Sequence, residues 1–160
     1  MSPADPLPPQ PEKHLTNAEM PALVHAKVME TMVNTVHVLV ADDEPAVALA
    51  IKSALKFCGY AALTVPSGEA ALERVRAEPG RFSLVLTDHN MPGLGGLAMV
   101  KALRAIAYPG RIVILSAYLT RENEAQYKML AVDEILSKPF NLERLRLALE
   151  RALQPASCRS

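Results

Sequence analysis

Five side chains of this sequence are of types that handle phosphate and metal ions, and each follows or closes a short apolar run. They are Asp42 and Asp43 in "VHVLVADDEP", Asp88 in "FSLVLTDHNMPG", Ser116 in "RIVILSA" and Lys138 in "VDEILSKPF". Three carboxylates brought close together repel one another and take up a proton unless a cation sits among them. Mg2+ suits such a group, because it takes hard oxygen ligands, keeps several waters and completes its shell with phosphate oxygens. A carboxylate can also attack phosphorus and form an aspartyl phosphate. Phosphoryl transfer then needs positioning and neutralisation of the equatorial oxygens, which an ammonium and a hydroxyl supply.

Each piece also has a plainer reading. "DDEP" is common as acid at a helix start, and Asp88 fits an Asx-turn. Ser116 can be a satisfied hydroxyl at a strand end, and Lys138 a solvated lysine before a helix. His89 has no second histidine at ligand spacing and reads as incidental. Weight comes from the conjunction, provided the fold gathers these residues at one place.

The hydrophobic pattern predicts that it does. "VHVLVA" (36–41) is β-branched and continuously apolar, as a strand buried on both faces must be. "YAALTV" (60–65), "FSLVLT" (82–87), "RIVILSA" (111–117) and "VDEILS" (132–137) repeat the signal. Helical segments lie between them. "AVALAIKSALKFCG" has Pro45 in its first turn and Gly59 just past its end. Ser67 caps a helix that Pro79-Gly80 stops, and "LAMVKALRAI" follows the third strand. Thr120 caps the next, with Glu122 and Glu124 near its positive end. Asn141 caps the last, where Phe140 and Leu145 are spaced as a hydrophobic staple. Strands alternating with helices make a doubly wound parallel sheet with helices on both faces. Ligands of such sheets bind at the carboxyl ends of the strands, where the strand order reverses. All five residues fall there; strand two brings only Val65 and Pro66.

Composition bounds the rest. The 160 residues are 50% apolar, enough for one core, and the formal net charge is zero. Without a basic stripe or interleaved aromatics, direct nucleic-acid binding is not expected. Cys58 and Cys158 are far apart without metal-ligand spacing and read as reduced thiols, Cys58 within an apolar helical pattern. No apolar run approaches the roughly 20 residues that span a bilayer, and the start lacks signal-peptide character. A cytoplasmic protein is expected. Residues 1–35 read as a proline-rich disordered leader, with a possible short helix over 17–34 carrying Leu23, Val24, Val28 and Met32; 36–155 form the folded domain and 156–160 a tail.

"VLVADDEP", "LVLTDHNMPGLGG", "VILSA" and "VDEILSKPF", in this order and spacing, closely resemble the receiver domain of bacterial two-component response regulators. The resemblance covers about 36 to 153 and implies a flavodoxin-like five-stranded sheet of order 2-1-3-4-5. It implies that Asp88 is the phosphoacceptor. Asp43 and Asp88 would bind Mg2+ by carboxylate and Asn90 by its backbone carbonyl, with Asp42 acting directly or through water. Ser116 and Lys138 would contact the phosphoryl group, and the Lys138–Pro139 peptide would be cis. The donor would be the phosphohistidine of a sensor histidine kinase or phosphotransfer protein. The signal would pass to an unknown downstream protein through the fourth helix, fifth strand and fifth helix, about 120 to 153. The protein would be no enzyme beyond its own phosphorylation and slow autodephosphorylation.

Two positions depart from the family pattern. Ile135 stands where the family often has an aromatic residue that rotates inward on phosphorylation, so a muted response relying on Ser116 is expected. Tyr118 is bulky where many relatives are small or polar. With Asn90 it would flank the path of a hydrolytic water, and the "RFSLVLTD" context looks like receivers of hybrid sensor kinases. Too little chain follows Lys138 for an output domain, which predicts a stand-alone receiver. A detached hybrid-kinase receiver, a phosphorelay intermediate and a pseudo-receiver are alternatives, although a pseudo-receiver should have lost acid, serine or lysine. An aspartyl-phosphate phosphatase of the haloacid dehalogenase type would need a second aspartate where Asn90 stands.

Overall fold

A computed structural model of the chain describes residues 36–154. The expected leader, its helix, Cys158 and the tail lie outside the described residues. Five strands alternate with five helices: β1 His37–Ala41, α1 Pro45–Phe57, β2 Ala61–Val65, α2 Gly68–Ala77, β3 Leu84–Asp88, α3 Gly96–Ala105, β4 Arg111–Ser116, α4 Arg121–Met129, β5 Glu134–Ser137 and α5 Leu142–Leu153. The strands form one parallel sheet in the order β2-β1-β3-β4-β5. This is the expected doubly wound, flavodoxin-like arrangement, with the order reversing between β1 and β3.

Alternation within the strands explains their unbroken apolar runs. Leu39, Val85, Ile112 and Ile114 face one layer with Val75, Met99, Val100, Leu103 and Tyr127, from α2, α3 and α4. Their neighbours Val38, Val40, Leu84, Leu86, Val113 and Leu115 face Ile51, Leu55, Leu145 and Leu149, from α1 and α5. The central strands β1, β3 and β4 therefore carry apolar residues on both faces.

Local signals act where the sequence put them. Ser67, Thr120 and Asn141 each accept a backbone N–H three residues on, from Ala70, Asn123 and Arg144. Phe140 and Leu145 belong to the same apolar cluster, as a staple requires. Gly59 has φ +87°, the left-handed conformation that ends α1 behind Cys58. Cys58 is thus the helix-ending residue and half-buried, where an apolar helical position was expected.

The strand-end acids are not helix caps. Glu44 is the N-cap of α1, without a side-chain bond, while Asp42 Oδ1 accepts the Glu44 N–H at 2.9 Å. The chain after Asp88 returns over the end of β3 with no space to spare. A Cβ on Gly96 would lie 2.6 Å from the Asp88 carbonyl oxygen, 2.9 Å from His89 Cα and 3.1 Å from the Tyr127 hydroxyl. Overpacking against backbone costs about 1–3 kcal/mol. Gly96→Ala should lose stability of that size, read as a lower urea midpoint with an unchanged slope.

Candidate functional site

Register brings the chemistry together. Ala41 pairs with Thr87, so Asp42 leaves β1 beside Asp88 at the end of β3. Asp88 pairs with Leu115, one residue before Ser116, and Ser116 pairs with Ser137, one residue before Lys138. Lys138 leaves the edge strand and its long side chain spans the end of β4. Its Nζ lies 2.7 Å from Asp88 Oδ1 and 3.3 Å from Asp42 Oδ2. The Lys138–Pro139 peptide is cis.

Asp42 and Asp88 are nearly buried, at 3% and 7% exposed. The cation between them is the lysine ammonium. Burial opposes its charge, but the hydrogen bond and charge of Asp88, then those of Asp42, outweigh burial and hold its pKa above the ordinary value. Asp43 and Asn90 are exposed at the mouth of the site.

The plain and the chemical readings coexist in several side chains. Asp88 Oδ2 accepts the Asn90 N–H at 3.0 Å, which is an Asx-turn, while Oδ1 faces Lys138. The Ser116 hydroxyl donates to the Tyr118 carbonyl at 2.7 Å and accepts the Tyr118 N–H at 3.2 Å. Lys138 is no solvated lysine. Tyr118 itself is 76% exposed. Beside Ser116 lies an open cavity of about 400 Å3, walled by Tyr118, Leu119, Glu124, Ile135 and Ser137.

His89, which reads as incidental in the sequence, is built into a network. Its Nδ1 is 2.7 Å from the Tyr127 hydroxyl and its Nε2 is 3.3 Å from Asn123 Nδ2. The His89 and Tyr127 rings meet edge to face at 5.7 Å. Burial holds the imidazole below its ordinary pKa, against the Asp88 charge. Burial, then the Asp88 charge, pushes the tyrosine well above its own. One signal was available in the sequence: Asn123 and Tyr127 are four apart, and Tyr127 is the sole aromatic residue of a mostly polar helix.

The oxygen-rich donor set, with no sulfur or imidazole among the strand-end acids, fits a hard divalent cation such as Mg2+. Among the described residues no three acidic, histidine or cysteine side chains are grouped closely enough to hold a metal ion by themselves. An open site is what Mg2+ uses, since it retains waters and takes only one or two carboxylates.

The profile of the response regulator receiver domain matches residues 38–150. The chain belongs to this family. It is 30% identical over 120 residues to the transcriptional regulatory protein ZraR of Escherichia coli K12, covering 75% of this chain and 27% of that protein. It is 32% identical over 130 residues to the virulence sensor protein BvgS of Bordetella pertussis, covering 77% of this chain and 10% of that one. The chain thus spans about a quarter and a tenth of these relatives. Among solved structures, the chemotaxis protein CheY4 of Vibrio cholerae superposes with a TM-score of 0.69 at 30% identity, covering 74% of this chain and 99% of CheY4. This receiver is a module of two-component signalling, and no helix among its described residues is long and apolar enough to cross a membrane.

The raised lysine pKa fixes the sign of a pH effect. A lysine whose pKa rises on folding contributes stability that is complete below its unfolded value, about 10.4, and is lost as pH climbs through the folded value. In EDTA, the difference in urea midpoint between wild type and Lys138→Met should hold steady from about pH 7 to about pH 9 and shrink toward about pH 11.

Proposed function

We propose that the receiver takes a phosphoryl group onto Asp88 from the phosphohistidine of a sensor histidine kinase or phosphotransfer protein, and signals the change through protein contacts. The observation that carries this reading is the Lys138 ammonium 2.7 Å from a nearly buried aspartate, with Asp42 and Ser116 on the neighbouring strand ends. In the transfer, an Asp88 carboxylate oxygen forms a bond to phosphorus as the bond from phosphorus to the donor nitrogen breaks. The imidazole leaves with the electron pair and takes a proton from solvent. Asp43 and Asp88, with the Asn90 carbonyl and with Asp42 directly or through water, would hold Mg2+. When bound, the ion supplies positive charge to the phosphoryl oxygens.

The chain's own groups do the rest. Lys138 already points at the reacting carboxylate and can follow the charge onto the phosphoryl oxygens. Ser116 has a single hydroxyl hydrogen, now given to the Tyr118 carbonyl. To donate to a phosphoryl oxygen it must release that carbonyl, which frees the start of the loop before α4. Ile135 forms part of the cavity wall beside Ser116, and an isoleucine has no aromatic ring to rotate there.

With acetyl phosphate and Mg2+, wild type should gain one phosphate by intact mass, and Asp88→Asn none. Asp43→Ala should abolish labelling through loss of a metal ligand, and Lys138→Ala should impair it with metal binding intact. Equal labelling of wild type and Asp88→Asn would sink the assignment.

The lifetime of the phosphorylated state depends on an in-line water opposite the Asp88 oxygen. Asn90 can hydrogen-bond such a water but not take its proton, and a tyrosine hydroxyl is a poor base. Tyr118→Glu should shorten the lifetime several-fold by adding a base, and Tyr118→Ala should shorten it through access. Unchanged decay of both labelled variants would remove Tyr118 as the gate.

A further inference from the structure

Helix α4 is fastened to the sheet in an unusual way. Its sequence, "RENEAQYKM", is polar, and Tyr127 is its one buried residue. That single ring is fully buried in the layer it shares with Ile114, Val85 and Met99. Its hydroxyl reaches the residue directly after Asp88. With the Asn123 amide donating to His89 Nε2, the neutral imidazole carries its hydrogen on Nδ1 and donates it to the Tyr127 oxygen. Asn123 and Tyr127, one turn apart, thus hold both nitrogens of one ring.

A second set of bonds holds α4 from α3. Lys101 donates to the Gln126 side chain at 3.1 Å, and Arg104 donates to the Leu130 and Ala131 carbonyls at 2.9 and 2.7 Å. These bonds come from α3 and do not involve Asp88. Asn123 and Tyr127 tie α4 to residue 89, while Gln126 and the two residues just past the helix tie it to α3.

The His89 backbone leaves little slack. Its N–H donates to the Leu115 carbonyl at 2.8 Å, and its carbonyl accepts the Gly96 N–H at 3.1 Å. The missing Cβ of Gly96 lets Asp88, His89 and the Tyr127 hydroxyl close on one point. Asp88 Oδ2 bonds the Asn90 N–H, on the other side of His89. Phosphorylating Asp88 turns the carboxylate into an acyl phosphate and moves the negative charge outward onto the phosphoryl oxygens, so whichever of Lys138 and the Asn90 N–H faced the bonded oxygen must find a new partner. That rearrangement straddles His89, and in a closely packed network it is passed on to the ring.

We propose that His89 and Tyr127 are a positioning pair that couples the phosphorylation state of Asp88 to the first two turns of α4. The coupling rests on Asp88 being the phosphoacceptor. It supplies a route from the site to α4 that does not pass through Ile135. A helix with one buried anchor is a low-stability element, and the bond to that anchor sets how firmly the helix is held.

The test compares full-length wild type, Tyr127→Phe, His89→Leu and His89→Asn, each before and after acetyl phosphate with Mg2+. Label is measured by intact mass in the same samples used for amide hydrogen exchange. All four should label, and residues 117–120 should respond in all four, because Ser116 is untouched. Exchange over 121–127 should change on phosphorylation in wild type. This change should be lost in Tyr127→Phe, which keeps the ring, and in His89→Leu, which keeps the bulk. His89→Asn places an amide where Nδ1 stood and should restore it, which a purely structural role for the imidazole would not require. Absence of label in wild type would overturn the Asp88 assignment and this coupling with it. Full label with an undiminished α4 response in Tyr127→Phe and His89→Leu would overturn the coupling alone.

Discussion

One ammonium set between two nearly buried carboxylates organises this receiver. Asp42 and Asp88 leave neighbouring parallel strands at the same level, and their charges would repel if nothing lay between them. Lys138 comes from two strands away and closes the gap, 2.7 Å from one carboxylate and 3.3 Å from the other. Such an arrangement needs the order β2-β1-β3-β4-β5, because it places both acids at the reversal point and the lysine strand at the edge. It also needs the apolar packing on both faces. Burial strengthens the attraction between the charges but also costs their hydration, so removal of either partner is costly chiefly because it leaves the other charge buried and unpaired.

Around that centre Asp88, Ser116 and His89 are already committed to neighbours. Asp88 bonds Asn90 N–H and Lys138, Ser116 bonds Tyr118, and His89 bonds Tyr127 and Asn123. On the proposed function, a phosphoryl group at Asp88 would exchange existing bonds for new ones. Ser116 connects the site to the loop before α4, and His89 connects it to the buried anchor of α4. These two connections leave the site by different elements and converge on one helix. The family's aromatic position at the edge strand is filled by Ile135, half-buried beside the cavity.

Most of the architecture was legible because strand and helix periods are local properties. The five apolar runs became the five strands with boundaries no more than two residues off, and Ser67, Thr120 and Asn141 became caps by the bonds expected of them. The strand-end residues were legible as a set because a parallel sheet collects strand ends at one edge. What a single side chain does there was less so. Asp42 was open to a capping role but accepts a backbone N–H while facing Lys138. Cys58 continued an apolar helical pattern, yet the helix ends on it, because Gly59 takes the left-handed turn.

By itself the sequence determined the elements, their order and the chemistry available at the strand ends. Periodicity, caps and turn residues act over a few positions, and the motif residues lie beside those local signals. The tertiary structure alone decided which groups touch. Lys138 and Asp42 are 96 positions apart, and only the sheet order makes them neighbours. His89 and Tyr127 are 38 apart, and no local rule pairs the residue after a strand with the middle of a helix beyond the next strand. Their contact exists because α3 packs without a Cβ at Gly96 and lets α4 bring its one buried ring down to the end of β3. Close approach of this kind depends on the volume left by everything around it, which one stretch of sequence does not specify.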